Sequence, residues 1–241
     1  LPMLTDSLDS VLSDKSINAV HIATPNETHF EVASKALCAG KHVLLEKPMA
    51  LNPREAFKLA RLAEQESLIL LVGHIYRFNN AVIKSKEIIE QGFLGEVRYV
   101  TLTWTTLMSP PPGRDIIFDL APHPIDILNY LLNEWPSAVF SIARSYIRRK
   151  KGLEDTAFIL ADLPRERMAS ITLSWLQHGQ KTRAYTVVSS EATLEVDALR
   201  QRMTLHTENR EKNVNVTPNN TIEAMIRHFV DRIVKGDPPK N

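Results

Sequence analysis

Hydrophobic and polar positions follow two different rhythms along this chain. Up to about Arg77, short continuous apolar runs are separated by stretches with helical spacing. Ser16 to Thr24 reads as a buried strand. Glu27 to Ala39 reads as a helix with Phe30, Ala33, Ala36 and Leu37 on one face, and Gly40 stands where a left-handed C-terminal cap is wanted. His42 to Glu46 is the next strand. Asn52, Pro53 and Glu55 then mark a helix start: a capping residue, a proline suited to the first turn and a capping-box glutamate. The apolar face of this helix runs through Leu59, Ala60 and Ala63. Leu68 to Val72 is a third apolar strand, ending at Gly73-His74. Continuous apolar strands alternating with helices predict parallel pairing, cover on both faces and right-handed crossovers, which is half or more of a doubly wound sheet.

After about Asn79 the rhythm changes. Helices are expected over Asn80–Gly92 and Asp119–Leu132, and a last one over Thr221–Lys235, stopped by Gly236 with Pro238-Pro239 beyond. Strands are expected over Val97–Trp104, Ala138–Ile147, Ala157–Leu163, Tyr185–Ser189, Thr193–Val196 and Met203–His206, with Pro164 to Glu166 as a hairpin connection. Ala169, Ile171, Leu173 and Trp175 alternate with Ser170, Thr172 and Ser174, so one sheet face is apolar and the other mixed. The mixed face is either wet or buried in a subunit contact. The predicted class is α/β. A partial Rossmann-type parallel sheet, residues 1–78, precedes an α/β domain with a large, mostly antiparallel open sheet, residues 79–241.

Composition narrows the field. The 241 residues are 44% hydrophobic and 24% charged, with a formal net charge of +1 and no long basic block, which argues against a nucleic-acid partner held by phosphate neutralisation. No stretch approaches the roughly 18 apolar residues of a membrane span, and no signal segment opens the chain. The single cysteine, Cys38, excludes an intrachain disulfide and fits a reducing compartment, so the expected location is cytoplasmic; on its amphipathic helix Cys38 reads as a small core residue.

In open parallel sheets ligands sit at the carboxyl ends of the strands. That rule selects Ala23-Thr24-Pro25-Asn26, Glu46-Lys47-Pro48 and Gly73-His74 to Arg77, which should line one crevice. Lys47 is the sharpest: a lysine just beyond a buried strand can donate to a substrate oxygen and stabilise charge developing there. By position alone it is as readily a strand-end lysine reaching solvent. Asp119 and His123, four apart, share a helical face, and a carboxylate beside an imidazole is a standard acid–base unit near neutral pH. The same pair is also compatible with a plain helix N-terminus. A metal site from Asp119, His123 and Asp126 is a third reading, but no cysteine and no second cluster accompany it, and no metal is expected.

Taken together these residues resemble the glucose–fructose oxidoreductase, inositol dehydrogenase and related (Gfo/Idh/MocA) family. The similarity lies in Ala19-Val-His-Ile-Ala-Thr-Pro-Asn26, His29, Ala39-Gly-Lys-His-Val-Leu-Leu-Glu-Lys-Pro-Met-Ala50, Gly73-His-Ile-Tyr-Arg-Phe78 and Asp119-x-x-x-His123. The resemblance implies hydride transfer between NAD or NADP and a sugar, sugar derivative or cyclitol, nucleotide-linked sugars included. Lys47 would hydrogen-bond the reacting oxygen, His123 would take or return the hydroxyl proton, and Asp119 would orient His123 or the substrate. Thr24, Pro25, Asn26, His29, Glu46 and Lys47 would lie along the cofactor, with Arg77 reaching the cofactor or a substrate phosphate. The resemblance further implies a homo-oligomer, dimer or tetramer.

One feature departs from the family. The eight glycines form no Gly-x-Gly-x-x-Gly turn, which in the family cradles the pyrophosphate. The expectation is that the sequence begins, at Leu1, inside a longer chain and stops short of a further family helix. A non-catalytic sensor of the same fold is the alternative reading. Lys47, Asp119 and His123 together argue for the enzyme, and the Asp/His pair also disfavours a carbonyl or imine reductase.

Overall fold

Two separate sheets organise the protein. The computed structural model describes residues 4–149 and 152–236. Contacts divide the chain into two compact units: residues to His74 with those from Glu223 onward, and Ile75–Ile222. The last helix therefore falls mostly with the first unit. Among the described residues, no helix is long and apolar enough to cross a membrane.

The first unit opens with α1 (Leu8–Ser13), a short helix that apolar spacing does not announce. Ser7 caps it by accepting the N–H of Ser10. Strands β1 (Ala19–Ile22), β2 (His42–Leu45) and β3 (Leu70–Val72) pair in parallel in that order. Helices α2 (His29–Cys38) and α3 (Pro53–Gln65) make the crossovers. β1 is four residues long rather than nine. Asp14 accepts the backbone N–H of Ser16 at 2.8 Å, and the buried Lys41 ammonium donates to the carbonyls of Asp14 and Ile17 at 2.8 Å each, so this stretch turns instead of entering the sheet. α3 starts as expected, with Asn52 accepting from the Glu55 N–H at 3.0 Å and Pro53 in the first turn. Gly40 adopts φ +74° after α2, the left-handed cap glycine tolerates best. Ile22, Ala33, Leu37, Val43, Leu45, Leu59 and Ala63 form the core. Two expectations fail: Ala60 is exposed beside Leu59, and Cys38 is exposed, one position past the buried Leu37.

The second unit is built on eight strands in the order β11-β10-β9-β8-β4-β7-β6-β5, where β4 is Val97–Thr105, β5 Ala138–Arg144, β6 Thr156–Leu163, β7 Arg167–Ser174, β8 Thr182–Ser189, β9 Thr193–Asp197, β10 Arg202–Thr207 and β11 Arg210–Val214. Only β4 and β7 run parallel; the other pairs are antiparallel. Helices α4 (Asn80–Glu90), α5 (Ile116–Leu120) and α6 (Pro122–Leu132) contribute to a core that includes Val82, Trp104, Ile127, Leu131, Ile171, Leu173, Trp175 and Tyr185. β5 stops at Arg144, short of Ile147, because the buried Asp155 carboxylate takes the backbone N–H groups of Tyr146 and Ile147 at 3.1 and 2.8 Å. The helix expected over Asp119–Leu132 is two helices. Asp115 caps α5 by accepting from Ile117 and Phe118 at 2.8 and 3.0 Å, four residues before the expected start. Pro122 and Pro124 carry no N–H, so the hydrogen-bond ladder is interrupted between α5 and α6. α7 (Thr221–Lys235) ends before Gly236, and Pro238-Pro239 lie outside the described residues.

Candidate active site

In the first unit the carboxyl ends of β1, β2 and β3 carry the three runs singled out above. Thr24 and Pro25 are exposed, and Asn26 is half-buried at the start of a 3-10 turn, Asn26–Thr28. The Thr28 hydroxyl lies 2.7 Å from Thr24 Oγ1 and 2.8 Å from the Pro25 carbonyl oxygen, which shapes this turn. Glu46 and Lys47 are half-buried just beyond β2, and the Lys47–Pro48 peptide is cis. The Glu46 carboxylate stands 3.5 Å from His21 Nε2 and packs over Gly73, where an added Cβ would come within 3.2 Å of Oε2. Gly73 thus makes room for Glu46. His29 is fully buried, with Nδ1 2.7 Å from the Pro48 carbonyl oxygen and Nε2 3.0 Å from that of Thr24. Its contribution to the rim goes through those two carbonyls.

In the second unit Asp119 lies near the end of α5 and His123 in the first turn of α6. Ala121 between them keeps right-handed helical backbone, φ −61° and ψ −29°, so the two residues stay one helical turn apart despite the interrupted ladder. Arg114 Nη1 lies 3.5 Å from Asp119 Oδ1. The Tyr76 ring meets His123 edge-on, with centroids 5.3 Å apart, and meets the buried Trp104 in the same way at 5.4 Å. Burial pushes the Tyr76 phenol up from its ordinary value, and the neighbouring Arg183 charge opposes that shift. Arg183, on β8, is itself buried and donates from Nη1 to the carbonyls of Thr105 and Thr182 at 3.1 and 2.7 Å. Burial pushes its guanidinium down; Tyr76 and Asp119 act in the opposite direction.

Arg77 sits in the turn Ile75–Phe78 and grips Asp126. Its Nε lies 2.9 and 3.1 Å from the two carboxylate oxygens, and Nη2 lies 2.8 Å from Oδ1 and 3.3 Å from Asn129 Oδ1. Two of its three guanidinium nitrogens are thereby committed, and the guanidinium carbon lies 5.3 Å from the Tyr130 ring centroid. Asp126, the third ligand of the metal reading, is the partner of Arg77. Sequence reasoning missed Arg114 and Arg183, and it took in Tyr76 only as part of the Gly73 to Arg77 run, with no role of its own. The signal for Arg183 was present: it falls in phase with the buried Tyr185 and Val187 on an alternating strand, where a charge demands a partner.

Comparison with known proteins identifies both halves of the chain at the level of family and fold. Residues 2–74 match the model of an oxidoreductase family with an NAD-binding Rossmann fold, and residues 82–195 match the GFO/IDH/MocA C-terminal domain. The chain belongs to the Gfo/Idh/MocA family of oxidoreductases. It is 29% identical over 196 residues to an uncharacterised oxidoreductase of Synechocystis sp., covering 72% of this chain and 53% of that protein. It is 31% identical over 156 residues to a levoglucosan dehydrogenase of Pseudarthrobacter phenanthrenivorans, covering 59% of this chain and 40% of the relative. The structure of UDP-N-acetylglucosamine 3-dehydrogenase from Acidithiobacillus ferrooxidans superposes with a TM-score of 0.86 at 26% identity, over 98% of this chain and 75% of that one. The chain spans about half the length, or less, of these two curated relatives.

Proposed function

We propose that the protein is an NAD- or NADP-dependent dehydrogenase or reductase acting on a hydroxyl or carbonyl carbon of a sugar, sugar derivative or cyclitol. The observation that carries this reading is Lys47 at the carboxyl end of β2 in a Rossmann-type parallel sheet, the rim where open α/β sheets take their ligands. The rim offers groups suited to a dinucleotide: the exposed Thr24 hydroxyl and Pro25 ring, the Asn26 amide, the Glu46 carboxylate and the Lys47 ammonium. No glycine turn occurs among the eight glycines, so the pyrophosphate is assigned to none of these residues. When bound, the nicotinamide supplies or accepts the hydride. Lys47 donates to the reacting oxygen and steadies its developing negative charge. His123 accepts the hydroxyl proton on oxidation and returns it on reduction, and Asp119 orients it. Arg77, through Asp126, holds the start of the second unit to α6.

The test is hydride transfer by the complete protein. With NAD or NADP and a panel of sugars, cyclitols and nucleotide sugars, the reduced-nicotinamide absorbance band should grow or decay with at least one substrate. Tight cofactor and sugar binding without any change in that band would favour the non-catalytic sensor.

We further propose self-association, as a dimer or tetramer, through the open face of the eight-stranded sheet. Phe140, Ile142, Phe158, Leu160, Met168 and Tyr99 share that face and are exposed, a larger apolar patch than scattered surface residues make. Phe158→Glu with Leu160→Glu should lower the mass found by light scattering. An unchanged mass would remove this face as the interface.

A further inference from the structure

We propose that His29 is a positioning residue that staples the loop after β1 to the loop after β2 and so sets where Lys47 is presented. The dehydrogenase reading enters only through the role given to Lys47.

The argument starts from donor counting. The His29 ring is fully buried, and its two nitrogens face the Pro48 carbonyl oxygen at 2.7 Å and the Thr24 carbonyl oxygen at 3.0 Å. A carbonyl oxygen only accepts and a neutral imidazole carries one N–H, so the neutral ring donates to one of the two carbonyls and rests against the other, while an imidazolium donates to both. The ring thus touches both carbonyls through its two nitrogens and hydrogen-bonds at least one of them, a tie that a merely packed side chain would not make. The ends of that tie are in different loops. Thr24 belongs to the run that leaves β1, and Pro48 follows Lys47 directly.

The base of the tie is firm. His29 is the first residue of α2, whose Ala33, Ala36 and Leu37 are buried in the core of the first unit. On its other side Lys47 is held as well. The Glu46 N–H donates to the Ile22 carbonyl at 2.9 Å, and the Glu46 carboxylate packs over Gly73. The backbone of Lys47 is therefore pinned before and after, through Glu46 by the sheet and through Pro48 by His29. A misplacement of about 1 Å in a group that contacts the reacting atoms can cost roughly a hundredfold in rate, so such a tie bears directly on the chemistry.

Two variants and one direct measurement test this in the complete protein. His29→Leu keeps roughly the volume and removes the ring nitrogens; His29→Gln keeps an amide donor. Hydrogen exchange should quicken about tenfold in the Leu variant for peptides covering residues 23–30 and 46–51, with β3 and the second unit unchanged, and the Gln variant should recover most of the protection. Unchanged exchange, or a uniform rise across the first unit, would overturn the proposal. If the Leu variant fails to fold, the unsubstituted protein still decides the matter: histidine-labelled samples should show a slowly exchanging ring N–H signal for His29 and ring contacts to both Thr24 and Pro48, and the absence of that signal, or contact with one loop alone, would overturn the staple. With a substrate in hand, kcat should fall by about a hundredfold in the Leu variant with little change in KM. An unsubstituted protein that transfers no hydride would sink the dehydrogenase reading, while exchange and ring signals would still judge the staple.

Discussion

Tyr76 stands edge-on to His123, with ring centroids 5.3 Å apart and planes at 76°. Such pairs contribute about 0.5–1.5 kcal/mol beyond area burial and restrict how the imidazole can tilt. The Tyr76 hydroxyl also lies near the buried Arg183 guanidinium, whose charge acts on it. Tyr76→Phe keeps the ring contact and removes that neighbouring hydroxyl, so it should lower the unfolding free energy by about 0.5–1.5 kcal/mol in a denaturant titration. A variant as stable as its parent would show that the hydroxyl contributes nothing to holding Arg183.

Lys47 lies between two anchored neighbours at the end of β2. Its proposed work is done in the transition state, where the reacting oxygen gains charge. Lys47→Ala should lower kcat by about 10²–10³ while cofactor affinity changes far less. Equal losses in both would assign Lys47 to ground-state binding.

His123 should account for the limb of the rate profile that lies near neutral pH. In His123→Asn that limb should vanish and the residual rate should become flat across it. A profile of unchanged shape would place the acid–base function on another group.

His42 gives a pH dependence of stability that needs no substrate. Its Nδ1 accepts the Ile69 N–H at 2.9 Å, a bond that only an unprotonated nitrogen can make, and burial lowers its pKa from the ordinary 6.5. The unfolded chain therefore takes up the proton at a higher pH than the folded one. The contribution is complete above about pH 6.5 and is lost as the pH falls through the lower, folded value. Unfolding free energy should decline on acidification over this range. His42→Asn, whose amide oxygen can replace Nδ1 as acceptor, should show a shallower decline, and an identical decline would rule His42 out as its source.

The parallel half of the fold was legible because its strands are buried on both faces and its helices carry their own start and stop residues. Asn52, Pro53 and Gly40 sit where those signals placed them. β11 was not legible: Arg210 to Asn213 are all polar, as suits an edge strand, and only pairing with β10 reveals it. The short reach of β1 was hidden for a different reason. Lys41 bonds carbonyls 27 and 24 positions away, and no local pattern reports that. At the candidate site the side chains proposed to react stand out in the sequence as residue types at a strand end and on a helical turn. Their supports do not. His29 reads in the sequence as a cofactor contact, with nothing local to announce its two carbonyl neighbours, and Arg77 meets Asp126 across 49 positions.

That Arg77–Asp126 pair gives the sharpest separation between support and contact. Both side chains are largely withdrawn from solvent, with exposures of 20% and 9%, and the guanidinium engages both carboxylate oxygens. Removing one member of a buried pair leaves the other uncompensated, at a cost of about 3–5 kcal/mol at full burial and toward the lower end here. Arg77→Met and Asp126→Leu should each destabilise strongly, and the double variant should be more stable than the sum of the two losses predicts. If Arg77 acts chiefly through Asp126, cofactor affinity in Asp126→Leu should change as much as in Arg77→Met. A loss of affinity confined to Arg77→Met, with the stability of both variants intact, would instead return Arg77 to direct contact with the cofactor or a substrate phosphate.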